Sequence, residues 1–243
     1  MAVWPISVLR RWDAAGFNFR VGDIGLFLKG AKTDALVTRL RAQFGHQAAF
    51  ETIYRDSPDP WASATPRYHY QRRKYEVVAS LLPTGGKVRR ALDLGCGLGG
   101  LSRLLADRAD SVLGLDVAQS AIERARAAGI GRLSNIEFKQ GDVLALPQEL
   151  DGQFDIVTVA DVLYYLSPMS DDLLKQLATR IADLLAPGGI CVLVNHFFFG
   201  GDADSKLSRR IHNAFEWSPR FAVVSTHRRP FYLVSLLSAV PRP

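Results

Sequence analysis

The sequence predicts an α/β fold: a seven-stranded, mostly parallel sheet with helices on both faces and an antiparallel strand pair at its C-terminal end. Three observations carry this. From residue 90 onward, short apolar runs alternate with helix-length stretches, the pattern of βαβ units. The first of these runs leads into the glycine-crowded "LDLGCGLGG" of residues 92–100. The last two runs, "FAVVSTH" and "FYLVSLLSA", are separated by only a few residues including "RRP", which leaves room for a hairpin but none for a crossover helix.

Taken in order, residues 1–32 have weak periodicity interrupted by Gly16, Gly22, Gly25 and Gly30, and read as an irregular arm. "TDALVTRLRAQF" then brings Leu36, Val37, Leu40 and Phe44 to helical spacing behind a cap-like Thr33, and a second helical stretch runs to about Arg55. "DSPDPWASATP" carries three prolines and is a loop. "RYHYQRRKYEVVASLL" is a helix that ends before Pro83. The regular part follows: "RALDL" (strand), 98–109 (helix), "SVLGLD" (strand), 118–128 (helix), "IEFKQGD" (strand) and "FDIVTVAD" (strand). After it come a helix over about 170–185, an "APGG" turn, "ICVLVNHF" (strand), a helix near 205–215 and the closing strand pair. The expected organisation is a partly helical arm, 1–48, and one α/β domain, 49–243.

Composition narrows the function classes. Of 243 residues, 48% are hydrophobic and 22% charged, enough apolar material for a full core. No run approaches the roughly 20 apolar residues of a membrane span. The start, "MAVWPISVLRRWDAAG", has too short an apolar run and the wrong flanks for a secretory signal. Cys96 and Cys191 are the only cysteines, so no disulfide framework is expected and a reducing cytoplasm is the default. The net charge of +6 comes from scattered pairs such as Arg10-Arg11 and Arg209-Arg210. A nucleic-acid face would show one basic block interleaved with aromatics, so nucleic acid is not an expected partner. The five histidines form no i, i+4 pair and have no thiol pair near them, so no metal site is expected.

The glycine turn admits two cofactors. Gly95-x-Gly97-x-x-Gly100 fits a dinucleotide fingerprint, and Gly95-x-Gly97-x-Gly99 with Asp93 upstream fits an S-adenosylmethionine loop. In both, the Rossmann-like turn lets a ligand approach the backbone beside a helix amino terminus. Three acids at successive strand ends separate them. Asp93 would repel a pyrophosphate but attract the ammonium of S-adenosylmethionine, unless it only bonds loop amides. Asp116, 21 residues after Gly95, suits ribose hydroxyls in either class. Asp142, in "QGDVLAL", can accept from an adenine amino group or can cap its own loop. Val117 and Val143, next to these last two acids, are placed at the cofactor with them. Amine, ribose and adenine in strand order favour S-adenosylmethionine and leave a nicotinamide-dependent oxidoreductase as the remote alternative.

At this point the chain resembles the class I S-adenosylmethionine-dependent methyltransferases over about residues 50–240. "LDLGCGLGG", "LGLDVAQSAIERAR", "FKQGDVLAL", "FDIVTVADVLYYL" and "LAPGGICVLV" match that family's motifs in order. "YRDSPDPW", "YHYQRRKY" and "ADVLYYL" resemble its nodulation N-methyltransferase (NodS-like) branch. The resemblance implies methylation of a free amine on a glucosamine at the end of a chitin-like oligosaccharide. The expected reaction is N-methylation of an amine of a sugar, oligosaccharide or other small molecule, and the sequence leaves O-methylation of a sugar or small-molecule hydroxyl as the alternative. The arm and the C-terminal segment depart from that branch, and acceptor choice lies in such segments.

Methyl transfer needs an acceptor held in line and, for an amine, deprotonated. Asp161 ends the fourth strand, where ligands bind in open α/β sheets; it can hold an acceptor amine or cap the "VLYYL" turn. His196 ends the fifth strand on the same rim and is a candidate base or orienter, or a structural histidine. Tyr164 and Tyr165 line the site by resemblance, though at least one fits a packed core. Trp61 can lie over a sulfonium or a sugar ring, or anchor its loop. Arg73 can pair with the methionine carboxylate.

Overall fold

The computed structural model describes residues 19–82, 86–129 and 134–240. The first part of the irregular arm expected at the N-terminus lies outside them. Within them, a 3₁₀ turn at Val21–Asp23 leads directly into α1 (Ile24–Phe44). This helix starts nine residues before the cap expected at Thr33. Thr33 is interior, and its hydroxyl donates to the Lys29 and Pro60 carbonyls instead of capping. Gly22, Gly25 and Gly30 therefore do not prevent a helix here. Gly45, at φ 82°, makes the real break, and α2 (His46–Asp56) follows. A boundary between residues 48 and 49 falls inside α2. That helix is fixed to the main body by Glu51, which accepts from the Ser120 amide at 3.2 Å, and by Arg124, which donates to the Ser57 carbonyl at 2.6 Å.

α3 (His69–Ser80) precedes the alternating region: β1 (Val88–Leu94), α4 (Gly100–Ala106), β2 (Ala109–Asp116), α5 (Gln119–Gly129), β3 (Ile136–Gln140) and β4 (Phe154–Ala160). Then come α6 (Asp171–Leu184), β5 (Leu185–His196), α7 (Ala203–Glu216), β6 (Phe221–Arg229) and β7 (Tyr232–Ala239). The sheet order is β3-β2-β1-β4-β5-β7-β6. β1 to β5 pair in parallel, and β7 runs antiparallel to both β5 and β6. This is the predicted seven-stranded Rossmann-like sheet with its C-terminal antiparallel pair. "APGG" is the exception to the expected turns: Ala186–Gly189 form the irregular start of β5, where its register against β4 shifts between Phe154 and Ile156.

Alternation along the strands divides the core. Leu92, Leu94, Val157, Val159 and Leu193 pack with Leu174, Ile181 and Ile211 of α6 and α7 on one face. Ala91, Ile156, Val192 and Val194 pack with Val78, Leu101 and Leu105 of α3 and α4 on the other. Reversal of strand order between β1 and β4 leaves a crevice at the carboxyl ends of the parallel strands, where ligands bind in such sheets.

α7 backs β5 with an unusually polar inner face. His212 is fully buried and its Nδ1 shares a 2.7 Å hydrogen bond with the Ser235 hydroxyl. Desolvation lowers its pKa from 6.5 to about 3. Its folded pKa is thus below its unfolded one, so the neutral ring contributes stability above about pH 6.5, and that contribution shrinks as pH falls toward 3. Between about pH 7 and pH 5 this one group should withdraw ~2 kcal/mol of stability. His212→Gln should flatten that part of the acid limb in urea unfolding. An unchanged slope in the variant would dismiss His212 as its source.

Candidate active site

The chain must leave β1 and enter α4 within five residues. Gly95, Gly97 and Gly99 take φ of 68°, 52° and 76°, the left-handed region where a side chain is strained. A Cβ on Gly97 would stand 2.7 Å from the Tyr54 hydroxyl, and one on Gly95 would enter the Val162 side chain at 2.2 Å. Both glycines line a cavity of about 840 Å³ at the crevice. Gly99 does not: a Cβ there would meet the Phe138 ring at 2.6 Å, so this glycine serves packing beneath the turn, and Gly100 lines the cavity instead.

Asp116, at the end of β2, is the acid closest to the expected arrangement. Its Oδ2 accepts from the Gly97 amide at 2.8 Å and its Oδ1 from the Ala118 amide at 3.0 Å. Each oxygen retains a lone pair, and the residue lines the cavity with Val117, Gly141 and Val143. Burial lifts its pKa to about 6. This end of the cavity presents a carboxylate, two valine side chains and backbone bare of side chains, a lining compatible with a nucleoside-bearing cofactor.

Two acids of the expected series behave differently. Asp93 is 2% exposed and does not line the cavity. It accepts from the Ser102 hydroxyl of α4 at 2.6 Å and from the Thr158 hydroxyl of β4 at 2.7 Å. Two protein donors thus occupy the carboxylate expected at an ammonium, and desolvation raises its pKa to about 6. Asp142 caps the 3₁₀ turn Val143–Ala145 by accepting from the Leu144 amide at 2.9 Å. Its neighbours Gly141 and Val143 line the cavity, and Asp142 itself does not.

Arg73 is half exposed, pairs with Glu76 at 3.0 Å and lies off the cavity. The basic residue that turns inward is Lys74, only 6% exposed, which forms an ion pair with Oδ2 of Asp161. Tyr70, Lys74 and Val78 make one buried face of α3 at intervals of four. That periodicity is the signal that selects Lys74 over Arg73.

Asp161 lines the cavity but is not the cap of the following turn, whose N-cap is Val162 with no side-chain bond. Its backbone is left-handed at φ 57°, a conformation that costs a non-glycine residue about 1–3 kcal/mol and clusters at functional sites. Its Oδ1 is buried without a partner. His196 ends β5; its ring centroid is 4.1 Å from that of Tyr164 and 5.3 Å from that of Phe198. All of these face the cavity, as do Trp61 and Tyr165. Burial holds the Tyr164 and Tyr165 phenols well above their ordinary range, so both remain protonated donors near neutral pH. Trp61 lines the cavity, stacks on Phe50 at 6.0 Å, and donates from Nε1 to Asp34 at 2.7 Å.

Asp34 is a residue that sequence reasoning missed. It sits mid-helix in the polar arm, where nothing in the pattern sets it apart from other acids. α1 roofs the cavity with Gly30, Ala31, Asp34, Ala35 and Thr38, and Asp34 Oδ1 accepts from both Trp61 and the Tyr165 hydroxyl, the latter at 2.6 Å.

The Lys74–Asp161 pair joins α3 to the strand rim across 87 residues of sequence. Removing one partner leaves the other charge uncompensated in a poorly hydrated place. Lys74→Met should cost roughly 3 kcal/mol in chemical unfolding, and the double variant Lys74→Met/Asp161→Asn should recover part of that loss. A single variant within about 0.5 kcal/mol of wild type would show that the pair does not couple the two elements.

A family model described as a methyltransferase domain matches residues 91–189. Nodulation protein S of Bradyrhizobium diazoefficiens is 30% identical over 156 residues, covering 64% of this chain and 68% of that one. Ubiquinone biosynthesis O-methyltransferase of Acinetobacter baylyi is 36% identical over 112 residues, covering 46% of this chain and 42% of that one. The crystal structure of N-methyltransferase NodS from Bradyrhizobium japonicum WM9, in complex with S-adenosyl-L-homocysteine, superposes with a TM-score of 0.66 at 21% identity, over 80% of this chain and 98% of that one. Among the described residues, no helix is long and apolar enough to cross a membrane. The chain belongs to the class I S-adenosylmethionine-dependent methyltransferases of NodS-like type, enzymes whose cofactor is S-adenosylmethionine.

Proposed function

We propose that this methyltransferase acts on an amine, with an amino sugar or short amino-oligosaccharide as its leading acceptor class. One observation carries the reading: a single cavity runs from the Gly95–Gly97 turn and Asp116 to a wall where Asp161, Asp34 and His196 stand among aromatic rings. Carboxylates and ring faces are the groups that bind an ammonium and the body of a polar ring. The NodS-like affiliation supports the same reading. The O-methyltransferase relative aligns over less than half of this chain.

Asp116 is assigned to the ribose hydroxyls, Val117 and Val143 to the adenine, and Gly95 and Gly97 to close backbone approach. When bound, S-adenosylmethionine supplies a methyl group activated by a sulfonium, so the protein's task is alignment and removal of one proton from the acceptor nitrogen. Asp161 has spent its charge on Lys74 but keeps Oδ1 free to accept from the amine N–H. His196 is assigned the role of proton acceptor: it ends β5 on the cavity wall beside Tyr164, and no ion pair holds its imidazole among the described residues. Tyr164 packs against that imidazole in a tilted contact at 4.1 Å, Phe198 stacks on it at 5.3 Å, and the two rings orient it.

The test is methyl transfer from labelled S-adenosylmethionine to glucosamine and to deacetylated chitobiose, with the N-acetylated sugars as controls. N-methyl product is expected from the free amines alone, and methyl ether formation would overturn the reading. His196→Ala should lower turnover by roughly 10²–10⁴ with cofactor affinity near wild type. Asp161→Asn should cost less, because its charge is already neutralised.

Asp116→Ala should weaken S-adenosylhomocysteine binding by roughly 1.5–3 kcal/mol. Because burial raises the Asp116 pKa to about 6, its carboxylate protonates as pH falls through that value. Wild-type affinity should therefore decline below about pH 6, and the variant should lack that decline. Calorimetry showing parallel pH profiles would remove Asp116 from the ribose site.

A further inference from the structure

We propose that Asp34, carried by the roof helix α1, is the anionic anchor that receives the acceptor's ammonium. The inference rests on the amine reading above and names the group that enforces it.

Four acids line the cavity: Asp34, Asp116, Asp161 and Asp204. Asp116 gives one oxygen each to the Gly97 and Ala118 amides. Asp161 is neutralised by Lys74. Asp204 lies exposed in the first turn of α7, where water screens it. Asp34 alone among them is half-buried with no cationic partner among the described residues. Its two donors, Trp61 and Tyr165, are neutral and both bond the same oxygen, Oδ1. Oδ2 has no hydrogen bond among the described residues, and Asp34 is a half-buried residue of the cavity lining. It is an open acceptor on a cavity wall.

Electrostatics point the same way. Desolvation raises the Asp34 pKa, the His196 ring opposes that rise, and the Asp161 carboxylate adds to it. A carboxylate kept from water and paired with neither Lys nor Arg gains from a further cation that enters beside it. The surroundings suit an organic cation better than a metal ion. Among the described residues no group of three or more metal-ligating side chains occurs. The walls are rings: Trp61 and Tyr165 lie 5.9 Å apart, and Tyr164 packs on Tyr165 at 4.3 Å. Beyond His196, Phe198, Phe27 and Phe231 continue the apolar surface with centroid spacings of 5.8–6.2 Å. Ring faces favour a cation, and ring edges and methylenes favour the flat or apolar body that bears it. The acceptor class is thus a protonated amine attached to a ring, with neutral hydroxyl acceptors disfavoured by an anion they do not compensate.

The double hydrogen bond at Oδ1 makes a structural role separable from a binding role. Asp34→Asn can keep its carbonyl oxygen at Trp61 and Tyr165 while losing the charge. The experiment is calorimetric titration of the S-adenosylhomocysteine-saturated protein with benzylammonium and with benzyl alcohol, which share a ring and differ in charge. Wild type should bind benzylammonium at least tenfold more tightly than the alcohol. Asp34→Asn should lose that preference, with thermal midpoint and S-adenosylhomocysteine affinity near wild type. Asp34→Glu, which restores the charge, should recover part of it. A preference that survives in a folded Asp34→Asn variant overturns the assignment and leaves the amine reading standing. Equal binding of the two probes to wild type, or no binding of benzylammonium, overturns the assignment and the amine reading together.

Discussion

The site depends on one constraint: the chain has to turn from the central sheet into α4 with almost no side chains in the way, and the turn has to be held rigid. Glycines at alternate positions supply the left-handed backbone. Asp93 supplies the rigidity. Its carboxylate is buried where β1 lies between β2 and β4, and it ties Ser102 of α4 to Thr158 of β4. A buried carboxylate without donors would be costly, and here two hydroxyls from different elements satisfy it. The same carboxylate therefore fixes both the helix that follows the turn and the strand that presents Asp161. Asp116 completes the frame from β2 by holding the Gly97 amide.

Much of this frame was legible in the sequence because local patterns dictate it. Apolar runs of strand length, the glycine turn and the acid at the end of β2 each follow from short-range chemistry, and the hairpin follows from a connection too short for a crossover. The arrangement departs from the expected one where three-dimensional packing decides. Asp93 and Asp116 both end apolar strands, but only the structure shows that Ser102 and Thr158 converge on the first and the open crevice on the second. Arg73 and Lys74 are adjacent, and one step along a helix turns a side chain by about 100°, which is enough to send one to solvent and the other to Asp161. Gly99 belongs to the same motif as Gly97 but backs onto Phe138. Asp34 could not be singled out, since its partners Trp61 and Tyr165 are 27 and 131 residues away.

The carboxylates along the cavity are held in two different ways. Beside the glycine turn, the carboxylate of Asp116 is held by backbone amides that cannot titrate, so its position is set by the fold. Farther along the wall the carboxylates are held by side chains: Lys74 for Asp161, Trp61 and Tyr165 for Asp34. Side-chain partners can be exchanged by single substitutions without disturbing the sheet. A family that keeps one cofactor and varies its acceptors would need such a division between a backbone-built half and a side-chain-built half.

The attachment of α1 has a consequence for the time scale of events at the site. Among its described residues, this helix of 21 residues buries only Val37. It is fastened to the proline-rich loop by Lys29 to the Asp59 carbonyl, Thr33 to the Pro60 carbonyl and Asp34 to Trp61. Arg41 adds a bond to the Ser167 carbonyl. The sheet is held by two extensive apolar layers, whereas the roof is held by these few hydrogen bonds, each worth about 1 kcal/mol net, and by narrower apolar contacts through Leu26, Phe27, Val37 and Leu40. Its opening is therefore a local, low-energy fluctuation rather than a fraction of global unfolding. Amide protons of α1 would exchange with deuterium long before those of β1 and β4, and ligands could pass beneath the helix without any loosening of the core.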